Sequence, residues 1–316
     1  MFIESFIDDL KIGFRTLIKE RSFGILAVGI LALGICGVTT QFSVINGALL
    51  RGLNFRDSER LASIEIIDPA RSTRFGVEGR LTSTDFLEFA PHQTSFQHLA
   101  AYIDGSTVNL TVNGHPQRLA GAYVTEDFFT ILGVQPVLGR NFTPEDNRVG
   151  APKVALISHQ VWSRDFGSDP NILSLPVRMN GRTATIIGVM PPGFSFPINE
   201  QVWLPLYSEF APLPRGVSDS LGMIVSVLGR LKAGVTLKEA DREFQSVARR
   251  LADAYPDTNG VYTAARVQEL VRAFTSPHLE ITLWTMLAFC GLLLVMACAN
   301  VMNMQFARAT LRAKEL

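Results

Sequence analysis

Charge is scarce in this sequence and neither sign dominates: charged side chains make up 18% of the 316 residues, and 29 basic groups cancel 29 acidic ones. A net charge of zero excludes the basic footprint of a nucleic-acid-binding surface and excludes an acidic solvating tail. Intrinsic disorder is excluded by the 47% of hydrophobic residues. The dipeptide Gly-Lys never occurs, so there is no phosphate-cradling Gly-x-x-x-x-Gly-Lys loop. The five histidines, His92, His98, His115, His159 and His278, form no His-x-x-x-His pair, which argues against a zinc site; His92 and His98, the one pair that the Pro91 turn could bring together, read as ordinary surface histidines. A Gly-x-Ser-x-Gly nucleophile elbow is also missing. The expectation is a chain that is not an enzyme and holds no catalytic, cofactor-binding or metal residues of its own.

Cysteine is the other scarcity, and its placement is informative. Cys36, Cys290 and Cys298 all lie inside two stretches that contain no Asp, Glu, Lys or Arg: residues 22–50 (29 residues) and 281–307 (27 residues). About 20 apolar residues at 1.5 Å rise cross a hydrocarbon core of roughly 30 Å, so each stretch is long enough to span a bilayer. The first is about twice the apolar length of a cleaved signal peptide, and reads as an uncleaved anchor. Between them, residues 51–280 carry 22 basic and 24 acidic side chains, the composition of a water-soluble domain. With no cysteine, that domain has no disulfide framework and must rely on its core. The strings beginning at Asn109 and Asn141 fit the N-x-T glycosylation pattern by chance.

Lys11, Arg15, Lys19 and Arg21 precede the first stretch, and Arg308, Arg312 and Lys314 follow the second. The positive-inside rule therefore predicts both ends in the cytoplasm and the middle domain outside it, with Arg51, Arg56 and Arg60 weakening the bias slightly. Residues 1–21 repeat Ile3, Phe6, Ile7, Leu10, Phe14, Leu17 and Ile18 at helical spacing, an amphipathic helix expected in the interface plane. Within 22–50, Ala32, Cys36, Thr40, Ser43 and Gly47 form a stripe of small residues that would let a neighbouring helix approach closely. Asn300, Asn303 and Gln305 near the end of the second stretch are amides that need a partner helix or headgroups. These stripe residues, with Asn300 and Asn303, are the helix-packing candidates.

The middle domain reads as mixed. Strands are expected at 61–67, 108–112, 117–124, 175–179, 183–189, 223–230 and 261–267, and an extended segment at 203–206. Asn113-Gly114 and Asn180-Gly181 supply hairpin turns. Helical pieces are expected at 84–90 and 95–102 around Pro91, at 126–132 closed by Gly133, and at 159–166 capped by Ser158 and closed by Gly167. Met190-Pro191-Pro192-Gly193 is a turn. Thr236 to Glu239 is a capping box opening a helix whose apolar face is Leu237, Ala240, Phe244, Val247, Leu251 and Tyr255, ended by Pro256. The expected fold class is α+β: a mixed α/β extracytoplasmic domain (51–280) between transmembrane helices at 22–50 and 281–307, with the amphipathic helix at 1–21 and a cytoplasmic start at 308–316.

Several linked strings then point to a family. Residues 154–170, containing Ser158, Trp162, Phe166, Gly167 and Asp169, are followed by Val177 to Arg182 with Asn180-Gly181, and by Ile187 to Phe194 with Pro191-Pro192-Gly193. Together they resemble the periplasmic core domain of MacB-type permeases. The approach to the first span, from Asp9-Leu10 to Lys19, resembles the family's cytoplasmic elbow helix. Cys298-Ala299-Asn300-Val301-Met302-Asn303, with Ala307-Arg308-Ala309, is similar to its second span. The nearest subgroup is the duplicated orphan permeases of acidobacteria and similar bacteria.

The resemblance implies a non-classical, FtsX-type ABC transporter permease in the bacterial inner membrane. It implies an ATPase partner that binds ATP in the cytoplasm, a second permease unit, and a role in export or mechanotransmission with a periplasmic partner. Such permeases have four spans per half, so ending nine residues after the second span makes this chain an expected N-terminal part of a longer protein, or a truncated gene product. Ser174 departs from the glycine relatives often carry there. From layout alone, a two-span sensor with an extracytoplasmic ligand-binding domain is the alternative.

Overall fold

The computed structural model describes residues 21–50, 53, 55–73, 76–112, 114–173, 175–213, 223–275 and 277–312. The chain divides into two units: Leu53–Phe274, and the segments on either side of it, which carry two long apolar helices. The amphipathic helix expected at 1–21 lies almost wholly outside the described residues, as do Asn113, Ser174 and the tail beyond 312.

The apolar unit consists of α1 (Arg21–Ile45), continued by a π-helical turn at Asn46–Leu50, and of the 36-residue helix at Pro277–Arg312. Each contains a stretch long and apolar enough to cross a membrane, Ile25–Ile45 and His278–Phe306.

The Leu53–Phe274 unit is built on one eleven-stranded sheet. Its strands are β1 (Leu61–Thr73), β2 (Gly76–Gly79), β3 (Phe96–Val112), β4 (His115–Val124), β5 (Leu138–Gly139), β6 (Val154–Ile157), β7 (Pro176–Met179), β8 (Arg182–Val189), β9 (Val202–Pro205), β10 (Ser226–Leu231) and β11 (Ala264–Glu269). Their order is β11-β1-β10-β3-β4-β9-β6-β8-β5, with β2 on β1 and β7 between β3 and β8. Pairing is antiparallel except for β4 with β9 and β6 with β8. The helices are α2 (Ser83–Phe89), α3 (Phe128–Leu132), α4 (His159–Asp165), α5 (Leu206–Glu209), α6 (Leu237–Ala254), α7 (Pro256–Asn259) and α8 (Leu270–Ala273). The Pro277–Arg312 helix is α9.

The central strands are covered on both faces. From β1, β3 and β10, the side chains Ile64, Leu99, Ala101 and Val227 enter one hydrophobic cluster with Phe244, Val247 and Leu251 of α6. Their neighbours Leu61, Ala100, Tyr102 and Leu228 enter a second cluster with Phe128, Phe129 and Trp203. This explains one correction: residues 95–102, expected as helix, are the start of β3. A strand buried on both faces loses the apolar-polar alternation that marks a half-buried one, and Leu99-Ala100-Ala101-Tyr102 then reads as helix.

Other boundaries shift for local reasons. Gly229 on β10 leaves the space its Cβ would take, 2.6 Å from the Phe96 ring. Asn180 (φ 47°) and Gly181 (φ 77°) both take the left-handed conformation, the type I′ geometry that closes the β7–β8 hairpin. The capping box of α6 is present in full, with Thr236 and Glu239 bonding reciprocally. α6 ends at Ala254, and Pro256 opens the one-turn α7, where its missing N–H costs nothing. The strand expected at 261–267 runs from Ala264 to Glu269.

An end strand of a sheet exposes unpaired backbone groups that invite other strands. On β11 three of these are occupied by α6. The Gln245 side chain donates to the Ala265 carbonyl (2.6 Å) and accepts from the Ala265 N–H (3.3 Å), and Asp241 accepts from the Val267 N–H (3.0 Å).

Candidate functional site

In the apolar unit α1 and α9 pack on each other, and the contact follows a seam. The covered positions of α1 include Ala27, Leu31, Gly34, Val38 and Gln41, at intervals of four, three, four and three. Those of α9 include Leu283, Leu287, Cys290, Leu294, Ala297, Val301 and Met304, alternating four and three in the same way. This is the seven-residue repeat of left-handed helix pairing. At Gly34 an added Cβ would sit 2.8 Å from Leu294 Cδ1 and 3.5 Å from Leu294 Cα, so glycine sets the close approach.

The seam holds one buried amide. Gln41 donates from Nε2 to the Leu283 carbonyl at 3.2 Å, which removes a large desolvation cost inside a bilayer. On α9, Thr282 and Thr285 satisfy their hydroxyls within the helix by donating to the carbonyls of His278 and Ile281, both at 2.7 Å.

The packing candidates lie elsewhere on these helices. Ala32, Cys36, Thr40, Ser43 and Gly47 are all exposed, as are Asn300 and Asn303. Cys36 and Thr40 meet each other, Sγ to Oγ1 at 4.0 Å. α1 therefore has two distinct faces, a seam against α9 and an outward stripe of small residues. The seam residues Gly34, Gln41 and Leu294 lie off the small-residue stripe. The signal that finds them is the four-three repeat, with one polar residue, Gln41, on it.

The Leu53–Phe274 unit is stiffened by charged groups that tie helix to sheet. Glu243 of α6 accepts from Thr94 N (2.6 Å), Thr94 Oγ1 (2.9 Å), Ser95 N (2.9 Å) and the Ser95 hydroxyl. Burial pushes this carboxyl up, and the four hydrogen bonds more than offset it, holding it below its ordinary range. Asp146 is also held low: burial raises it, and Arg140 (2.6 and 3.0 Å) with the Thr143 N–H and hydroxyl outweigh that. The Arg230 guanidinium donates to the carbonyls of Ile131, Arg56 and Asp57, binding β10 to α3 and to the start of the unit.

His98 Nδ1 lies 3.3 Å from the Asp127 carboxylate. No group of three or more His, Cys, Asp or Glu able to hold a metal ion occurs among the described residues.

Residues 25–247 match the family described as MacB-like periplasmic core domain. No curated protein matches the chain. Among solved structures, it is similar to the periplasmic region of MacB from Actinobacillus actinomycetemcomitans, at 16% identity and a TM-score of 0.49, over 70% of this chain and 92% of that one. It is also similar to the extracellular domain of the noncanonic ABC-type transporter YknZ from Gram-positive bacteria, at 13% identity and a TM-score of 0.45, over 66% of this chain and 99% of that one.

Proposed function

The chain belongs to the family of MacB-like periplasmic core domains, and from that membership we propose that it is the N-terminal module of an ABC transporter permease that transmits cytoplasmic ATPase-driven helix motion to its extracytoplasmic domain. The observation that carries the reading is the insertion of one stiff, sheet-based unit between two apolar helices that pack on each other through a repeat seam. Because the unit joins a span at each of its ends, a shift of one span relative to the other reaches it through the backbone at both ends. Charge-tied elements such as α6 are suited to passing displacement on without absorbing it.

In this reading both ends of the chain are cytoplasmic, following the basic residues around the spans. The ATPase is a separate partner that binds ATP. A second permease unit completes the assembly, which works in export or in mechanical signalling to a periplasmic partner. The test is copurification from membranes solubilised in detergent. With ATP hydrolysis blocked by a non-hydrolysable analogue, the chain should retain an ABC ATPase; repeated recovery of the chain without one overturns the proposal.

A further inference from the structure

The β1–β10 ladder stops at Ile64↔Val227. Beyond it the two strands part, and residues 80–82 enter between them: Arg80 N donates to the Ile66 carbonyl, Val225 N donates to the Leu81 carbonyl, and Thr82 bridges Ile224. A cavity of about 280 Å³ opens at this fork. The register decides what lines it. Ser63 shares a face with Leu228, and Ser226 shares one with Tyr102. One step past the last ladder pair, Glu65 and Ser226 fall opposite each other. Asp104, two residues beyond Tyr102, joins the same lining, and Phe274 closes one side.

Three features of this lining call for a ligand of a particular kind. The Ser63 hydroxyl is buried, in a residue only 5% exposed, and has no hydrogen-bond partner among the described residues. A buried polar group without a partner is a standing cost that a bound donor or acceptor relieves. Two carboxylates, Glu65 and Asp104, face the cavity, and only Glu65 has an ion-pair partner among the described residues, Arg266 at 3.7 Å. Burial pushes Glu65 up against that arginine's pull, and the Tyr102 hydroxyl is raised by burial and by the Asp104 charge. Arg80, which has an interaction of its own, and Ser226 also line the cavity, and the rest of the wall is apolar and aromatic, which suits a hydrocarbon tail and favours a cation near the rings.

We propose that the fork between β1 and β10 is a binding site for a small primary ammonium ion with an apolar tail, its charged end on Asp104 and Glu65 and its N–H groups within reach of the Ser63 and Tyr102 oxygens. The volume limits the ligand to a small molecule. A bound amine would bridge two strands exactly where their own ladder gives out, making the central sheet stiffer when occupied.

The test uses the full chain in detergent and 2-phenylethylamine as probe, with 2-phenylethanol as the uncharged control. Calorimetric titration should show saturable binding of the amine and about tenfold weaker binding of the alcohol, the usual weight of a charge-assisted hydrogen bond. Asp104→Asn should weaken amine binding about tenfold and leave the alcohol unaffected. Ser63→Ala should weaken amine binding without lowering the unfolding midpoint, because it removes a hydroxyl that has no hydrogen-bond partner among the described residues. No saturable amine binding, equal binding of the alcohol, or unchanged amine affinity in both variants overturns the site. A fall in the Ser63→Ala midpoint together with unchanged affinity assigns the hydroxyl a structural role and overturns it as well.

Discussion

Glu243 offers a sharp test of how α6 is fastened to the sheet. Its carboxylate faces four donors and no acceptor that must be kept. Thr94 is exposed, so water replaces its lost bonds, but Ser95 is 6% exposed and its N–H would be stranded. Glu243→Ala should therefore cost about 2–3 kcal/mol, one stranded buried donor plus a hydroxyl that can partly reorient. Glu243→Gln is the more telling change. It keeps shape and volume, yet the amide nitrogen must point at one of the two backbone N–H groups, so about 1–2 kcal/mol should still be lost. Urea unfolding of the excised 53–274 segment, followed by fluorescence of Trp162 and the fully buried Trp203, measures both. The pH dependence adds a second check. The folded carboxyl lies below its ordinary value, so the unfolded chain takes up protons first as pH falls. The contribution is complete above about pH 4.3, the ordinary glutamate value, and disappears as pH drops through the lower folded value. The gap between the native protein and Glu243→Gln should shrink in that window. A Gln variant within about 0.3 kcal/mol of the native protein at pH 7, below the usual net worth of one hydrogen bond, would refute the reasoning.

Three further outcomes follow from the same structure. The 53–274 segment contains both hydrophobic clusters and the whole sheet, so it should unfold in one cooperative transition; a non-cooperative melt would contradict its independence. Replacing Gln245 and Asp241 together by valine strips the side chains covering the Ala265 and Val267 backbone groups, and sedimentation should show concentration-dependent association that the native segment lacks; an unchanged monomer would show that the edge is guarded by other means. Gly34→Leu should separate α1 from α9, read as lost crosslinking between cysteines placed along the seam, while Gly29→Leu, where nothing lies within 4 Å, should not; equal effects would remove the seam assignment.

Elements whose signals are local could be read directly. The Thr236 to Glu239 capping box and the Asn180-Gly181 turn depend on side chains and φ values within four residues, and both stand where the pattern puts them. The two spans are legible because a charge-free stretch of that length has few other uses. What escaped depends on distant partners. The start of β3 hid as a helix because clusters on both sheet faces bury consecutive residues. The guarding of β11 is invisible in sequence, since nothing near Gln245 announces a strand twenty residues later. The fork cavity is equally silent: Ser63, Tyr102 and Ser226 share a face only because of two antiparallel registers.

The two faces of α1 show why composition alone left the membrane unit half solved. Small residues in an apolar helix mark where a backbone can come close, but not which helix comes. Gly34 and the stripe from Ala32 to Gly47 satisfy that rule equally, on different sides of one helix. The alternation of four and three separates them, because only a seam that stays in register with a second helix over several turns keeps it, and α9 shows the same alternation from Leu283 to Met304. α1 and α9 therefore account for each other along one line and leave the stripe, with Asn300 and Asn303 on α9, outside it. Residues left outside the intrachain seam are those available to further helices. A substitution on the stripe should then change assembly and leave the α1–α9 pair intact, whereas one at Gly34 should do the reverse.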